Sequence, residues 1–208
     1  MISDAHSYHH GDLRSALVEA GLRLARDGGV NALGLRELTR SVGVTPNAAY
    51  RHFADRQALV LAVAAEAQNR LARAIRERLG AIPGDADPAE RAVHQLREVS
   101  LGYIHFAVSE PGWFELAFLM QDESRGDECV TIDDYVPPYQ FLLDALDGMV
   151  HAGVLTPERR ADAEWVCWSG VHGIADLATR GPLQGLDRSV IDMLAARVVD
   201  TTLAGLRT

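Results

Sequence analysis

Apolar residues recur along this chain at helical spacing. Leu13, Leu17, Ala20 and Leu24 form one stripe between Gly11 and Arg26, and Gly28-Gly29 ends it. Leu35, Leu38 and Val42 repeat at i, i+3 and i+7 and are followed by Gly43, a residue that accepts the left-handed conformation at helix ends. Val60, Val63, Ala67, Leu71 and Ile75 carry the same period through a long amphipathic helix over residues 55–79, with Asp55 as its N-cap. Breakers and acids fill Gly80 to Pro88. Ala89 to Val108 then places Val93, Leu96, Ser100, Tyr103 and Ala107 on one face. Further breaks fall at Glu110-Pro111-Gly112, at the polar run Gln121 to Asp134, at Gly153 to Pro157 and at Gly181 to Asp187. Between them lie helical intervals, among them Tyr135 to Ala152, Glu158 to Arg180 and Arg188 to Leu206. No segment alternates as a strand does. The pattern predicts an all-α chain of about nine helices.

The short pair at residues 35–56 is the most informative part. After Gly43 the chain turns within three residues, Val44 plugs the corner, Thr45 is placed to cap the next helix through its hydroxyl, and Pro46 suits a first helical position. Ala49 and Phe53, four apart, face inward and leave Asn47, Ala48, Arg51 and His52 on or near the outer surface. Such a face suits the major groove. Asn bonds bidentately to adenine, Ala touches a thymine methyl, Arg reads guanine, and Arg, Tyr and His donate to phosphate. A solvated helical hairpin is the alternative that spacing alone leaves open.

The run Val-Gly-Val-Thr-Pro-Asn-Ala-Ala-Tyr-Arg-His-Phe-Ala-Asp-Arg-Gln-Ala-Leu, residues 42–59, resembles the operator-binding segment of the TetR family of transcriptional regulators. Its most specific part is Tyr50-Arg51-His52-Phe53 with a charge at Arg56 and Leu59, preceded by Gly43-Val44-Thr45. The resemblance implies phosphate contacts from Tyr50, His52 and Arg56, and a recognition helix locked to the core by Phe53. It also implies a helix-turn-helix DNA-binding domain over residues 1–56 and a helical ligand-binding and dimerisation bundle over 57–208. There are departures. Arg56 stands where lysine is usual, in a chain without lysine; Thr39 replaces a common alanine; Gly34 replaces a frequent Ser or Thr cap. Ala48 replaces an often polar residue, so base reading leans on Arg36, Thr45, Asn47 and Arg51, with Pro46 and Ala48 beside them.

Composition fits one large or two small globular domains: 208 residues, 48% apolar. The net charge of −9 has the wrong sign for approaching phosphate. Its distribution resolves this, because residues 1–56 hold 7 Arg against 6 acids, and the remainder 13 Arg against 23. His6, His9, His10 and His52 add proton-dependent charge to the first segment, so operator binding is expected to weaken above about pH 7. Residues 6–14 read either as a disordered end or as a groove-reaching arm. Cys129 and Cys167 form neither a disulfide framework nor a paired zinc site, and no secretory leader is apparent, which points to the cytoplasm. The apolar stretch Ala58 to Ala65 is cut by Glu66, far short of a bilayer span.

A second signature lies near the C-terminus. Trp165-Val-Cys-Trp168-Ser-Gly-Val-His172-Gly173, together with the tyrosine, paired histidines and glycine at residues 8–11, resembles one TetR subgroup with a Trp-His-Gly type C-terminal domain. Trp165, Trp168, His172 and Asp176 share one helical face. That face is either a core stripe with a hydrogen-bonded His172 or the wall of an apolar effector cavity lined by Tyr103, Phe106, Trp113, Phe114, Phe118, Tyr139, Trp168 and His172. His105 and His172 lack a recognised metal spacing, and neither metal nor cofactor is expected. No nucleophile elbow, phosphate-binding glycine loop or HExxH pairing suggests an enzyme. The last two helices are apolar over wider faces than one contact buries, which suits a homodimer seam. The reading is a dimeric repressor that binds a near-palindromic double-stranded operator and is released by a small, largely apolar effector. An activator or an effector-free architectural DNA-binding protein is the alternative.

Overall fold

A computed structural model describes residues 10–123 and 137–207. Residues 6–9 of the possible arm, Cys129 and most of the polar run after Gln121 lie outside the described residues. Ten α-helices and no strand occur among the described residues: α1 (His10–Gly28), α2 (Leu35–Val42), α3 (Pro46–Ala49), α4 (Arg56–Gly80), α5 (Pro88–Ser109), α6 (Pro111–Glu123), α7 (Pro138–His151), α8 (Pro157–Arg160), α9 (Ala163–Thr179) and α10 (Arg188–Arg207). The chain is all-α, as its periodicity predicts. The extra helix comes from Glu158–Arg180, expected as one element. It breaks at Ala161-Asp162, where Asp162 adopts φ 59°, so that α8 and α9 are separate.

These helices form two compact units. The first contains α1, α2, α3, the start of α4 up to Ala67, and α6 from Gly112. Its core is Leu17, Ala20, Leu22 and Ala25 of α1 with Leu33, Leu38, Ala49, Phe53, Leu59, Val60, Val63, Leu116 and Ala117. Gly21 permits the close crossing of α1 and α4, since a Cβ there would lie 2.5 Å from Val63 Cγ2. Apolar side chains of α4 as far as Ala67, and two from α6, complete this core.

In the second unit α5 is central and packs against α7, α9 and α10, while α9 also lies against α10. Asp87 starts α5 as a true N-cap, its carboxylate accepting from Ala89 N at 3.0 Å and Glu90 N at 3.3 Å. Leu96, Ile104, Leu146, Met149, Ala175 and Ala195 are all buried to within a few per cent. Burial of apolar surface of this kind supplies about 25 cal/mol per Å² removed from water. The division between the units falls inside α4, between Ala67 and Gln68. No described helix is long and apolar enough to cross a membrane.

Candidate nucleic-acid interface and candidate effector site

The turn between α2 and α3 follows from Gly43. It sits at φ 76°, ψ 26°, the left-handed region that costs an L side chain about 1–2 kcal/mol. Its N–H reaches Arg40 O at 3.1 Å and the next, Val44 N–H, reaches Thr39 O at 2.9 Å, so the terminal carbonyls of α2 are satisfied. The buried Thr39, at the position where alanine is common, is accommodated because its Oγ1 donates to Leu35 O at 2.9 Å. Thr45 takes the extended N-cap backbone, with φ −81° and ψ 154°, but its side chain makes no capping bond. The expected hydroxyl cap is therefore corrected: Thr45 stands exposed at the head of α3 and caps it by backbone conformation alone.

Below the turn, Ala49 is fully buried and Phe53 is 4% exposed, anchoring α3 in the core of the first unit. The Arg14 guanidinium stands 5.3 Å from the centre of the Phe53 ring, a cation–π contact that closes the open side of that anchor. The opposite face carries Thr45, Pro46, Asn47, Tyr50 and Arg51, all exposed, with Ala48 and His52 half-buried beside them. Tyr50 is 52% exposed although large and aromatic. Arg36 on α2 is exposed as well. Arg56, at the first turn of α4, donates from Nε to Leu33 O at 2.9 Å, which ties α4 to the residues before α2 and orients the rest of its guanidinium. Asp55 accepts from Ala58 N at 2.7 Å and caps α4 as its sequence position predicts.

The same unit contains a joint that sequence spacing did not reveal. The first turn of α6 is seated on the last turn of α1. A Cβ at Gly112 would lie 2.0 Å from Ala25 O and 2.7 Å from Arg26 O. The Trp113 indole N–H donates to Leu22 O at 2.7 Å, and Arg26 stands 5.3 Å from the centre of its ring. Phe114 is buried and meets Phe118 edge-on at 4.7 Å. Three of the eight residues expected around an effector, Trp113, Phe114 and Phe118, therefore belong to the helix that grips α1.

Four others gather in the second unit. The Tyr103 hydroxyl lies 3.0 Å from His172 Nδ1, and Trp168 also hydrogen-bonds Tyr103. Burial pushes the phenol well above its ordinary range, the Trp168 bond opposing in part. Burial also lowers the His172 pKa, with Asp176 pulling it up and Arg180 down. Trp168 meets Tyr139 at 5.1 Å and stacks on Trp165 at 6.0 Å, continuing the rings outward to Trp165, which is 56% exposed. Phe106, the eighth residue, is buried on α5 three positions from Tyr103. Cys167 behind them is a small buried hydrophobe whose thiol is pushed up to about 11 by burial, which makes it a poor nucleophile. Of the two histidines weighed as metal ligands, His172 meets Tyr103, and His105 lies between Arg78 and Asp192.

The family model described as "Bacterial regulatory proteins, tetR family" matches residues 17–63, and one described as "Tetracyclin repressor-like, C-terminal domain" matches residues 96–202, more than half of the chain. The chain belongs to the TetR family. It is thus a transcriptional regulator with a helix-turn-helix DNA-binding segment, and α2, Gly43 and α3 are that motif. Among curated TetR-type relatives it is 34% identical over 85 residues to the HTH-type transcriptional regulator BetI of Rhizobium meliloti (strain 1021), a match spanning 41% of this chain and 36% of that protein. A Rhodococcus sp. RHA1 protein of unknown function superimposes with a TM-score of 0.69 at 25% identity, over 98% of this chain and 100% of that one. A TetR variant from Acinetobacter baumannii AYE, solved in complex with minocycline, has the same fold with a TM-score of 0.59 at 18% identity, over 93% and 97% of the two chains.

Proposed function

We propose that this regulator is a homodimeric repressor that holds a near-palindromic operator through paired α3 helices and releases it when a small, largely apolar molecule binds the second unit. The observation that carries the DNA half is the division of α3 and the turn that follows it: Ala49 and Phe53 locked in the core, Thr45, Asn47, Tyr50 and Arg51 exposed. Asn47, Arg51, Thr45 and Arg36 read base edges, Pro46 and Ala48 lie against them, and Tyr50, His52 and Arg56 hold phosphates. One short helix reads too few base pairs, so two copies enter successive major grooves.

The apolar side chains that one chain leaves in water support the dimer. Val166 and Leu177 on α9 and Met193 on α10 are 57%, 42% and 61% exposed. Gly173 lies among them with open space where a Cβ would stand, whereas Gly170 faces Thr202 and Val198 of its own α10. We assign the seam to these two helices.

For the effector, the wall is Tyr103, Phe106, Tyr139, Trp168 and His172, the Trp-His-Gly type signature of one TetR subgroup supplying the last two. Apolar rings with few polar anchors are the usual composition of such sites. Tyr103 lies on α5, and α5 runs through Glu110 into α6, whose first turn is seated on α1. A molecule that displaces α5 therefore pulls on α6, and α6 on the α1 end of the reading head. Differential affinity for the two states of about 1–3 kcal/mol changes operator affinity roughly 5- to 150-fold.

The test begins with selection of bound sequences from a random DNA pool, which should return a two-fold symmetric site. Candidate effectors are then titrated into that complex. A tight binder that releases DNA from the wild type, and fails on Tyr103→Phe or Trp168→Ala, is the expected result; tight binders that all leave operator affinity unchanged refute the effector half. Recovery of no sequence above background refutes the operator half.

A further inference from the structure

We infer that the last turn of α4 is pinned to α5 and α10 by a neutral His105, and that adding a proton to this imidazole releases the pin. The contact begins with Gly102. A Cβ there would lie 3.2 Å from both Ile75 Cγ1 and Arg78 Cδ and 3.4 Å from Ile75 Cα, so α4 comes close to the bare backbone of α5 at this point. Glu98, Gly102 and His105 follow one another at i, i+4 and i+7, one face of α5. Arg78 reaches along that face in both directions: Nη2 to Glu98 Oε2 at 2.7 Å, Nη1 to His105 Nδ1 at 3.3 Å.

Arginine is always charged and only donates. The His105 Nδ1 that meets it must therefore offer a lone pair, and the ring proton sits on Nε2. That nitrogen is 3.3 Å from Asp192 Oδ1 on α10, yet it is buried without a well-aligned hydrogen bond. Asp192 is already engaged by Arg188 Nε at 2.8 Å, and Arg188 in turn donates to Ser109 Oγ at 3.0 Å. The charged groups that face the imidazole are thus Arg78 from α4, Glu98 from α5, and Asp192 with Arg188 from α10.

A second proton can enter only at Nδ1. It would set two donors and two positive charges against each other at the 3.3 Å separation of His105 and Arg78. Arg78 then withdraws to Glu98 alone, and the imidazolium turns its charge to Asp192. The two arrangements exclude one another. Burial and Arg78 both favour the neutral ring, against the pull of Asp192, so its pKa lies below the ordinary 6.5. The unfolded chain therefore binds this proton more readily than the folded one. The pin's contribution is fully present above pH 6.5 and is lost as pH falls through the lower folded value. The other half of α4 contributes Leu59, Val60, Val63, Ala64 and Ala67 to the reading head's core. A released α4 end gives the regulator an acid response that needs no effector, a step that rests on the proposed operator function.

The full chain, labelled with nitrogen-15, gives the decisive spectrum. His105 is assigned by the cross-peak missing in His105→Gln, a variant that can still accept from Arg78 and cannot titrate. We expect an Nε2–H tautomer, a midpoint below 6.5, and a rise of that midpoint in Arg78→Gln, which keeps a donor and removes the charge. The melting temperature of the wild type should fall more steeply than that of His105→Gln between about pH 7.5 and 5.5. An Nδ1–H tautomer, a midpoint at or above 6.5, no movement in Arg78→Gln, or parallel melting profiles would each overturn the pin. For the acid response, the change in wild-type operator affinity over that range should differ by about 5-fold or more from that of His105→Gln, which keeps the other histidines, 5-fold being the low end of site coupling; equal changes in both proteins overturn it. Failure to bind DNA at any pH refutes the operator function instead, while the spectrum and the melting curves still decide the pin.

Discussion

Gly112→Ala probes the seat of α6 on α1 with one methyl group. The new carbon would stand 2.0 Å from Ala25 O and 2.7 Å from Arg26 O, both of them backbone atoms of a helix and unable to rotate aside. To reach even a 3.0 Å contact it must retreat by at least 1.0 Å, and α6 must move with it. Overpacking of this kind costs about 1–3 kcal/mol. The same movement stretches the 2.7 Å bond from Trp113 to Leu22 O, which adds about 1 kcal/mol. The expected total is about 2–4 kcal/mol. With a urea slope of about 1–3 kcal/mol per molar, the unfolding midpoint should fall by about 0.7 M or more. Gly80→Ala, where the added carbon meets nothing within 4 Å, is the control and should stay within about 0.5 kcal/mol of the wild type or gain slightly. Operator affinity should drop in Gly112→Ala at a urea concentration where the protein remains folded, since the shifted α6 displaces the end of α1. A midpoint indistinguishable from that of Gly80→Ala would refute the described seat. A midpoint that falls with operator affinity intact would refute its role in controlling the head.

The two caps should behave oppositely: Asp55→Ala should cost about 1 kcal/mol in thermal or urea unfolding, whereas Thr45→Ala, which loses no capping bond, should be nearly neutral for stability. Tyr50→Phe should weaken binding to all DNA sequences alike, and Asn47→Ala should alter preference at particular base pairs, as measured by competition with single-base operator variants; the reverse pattern would exchange their roles. Leu177→Arg, which places a charge in the exposed apolar part of α9, should convert a dimer to a monomer in sedimentation and weaken operator binding together with it.

The elements legible in the sequence were those fixed by neighbours along the chain. Gly43 ending α2, Pro46 opening α3, Asp55 capping α4 and the inward pair Ala49 and Phe53 each depend on residues within one or two turns, and each appears where periodicity and capping chemistry place it. What was not legible depends on partners far away in sequence. The seat of Trp113 on α1 is one such contact, because nothing near it in sequence says that Leu22 O lies 2.7 Å from its indole nitrogen. Arg56 read as a phosphate contact, and nothing near it shows that Leu33 O accepts from its Nε. His105 read as a weak metal candidate until Arg78, from a different helix, fixed which nitrogen accepts. The break between α8 and α9 was missed for a different reason. Asp at φ 59° is a tolerated left-handed residue rather than a glycine, so composition gave no stop signal.

The core of the first unit limits how this head can be transplanted. Among the described residues sixteen buried ones form it: they lie between Leu17 and Phe53, on α4 from Leu59 to Ala67, and at Leu116 and Ala117 of α6. A chimera made by joining residues 1–56 to another regulator would leave Leu17, Leu22 and Phe53 facing a gap where Val60, Val63 and Leu116 had been. Grafts that carry the first half of α4 and a compatible α6 keep that core closed. Under the proposed function, a transplanted operator preference would therefore have to travel with the first half of α4 and with α6.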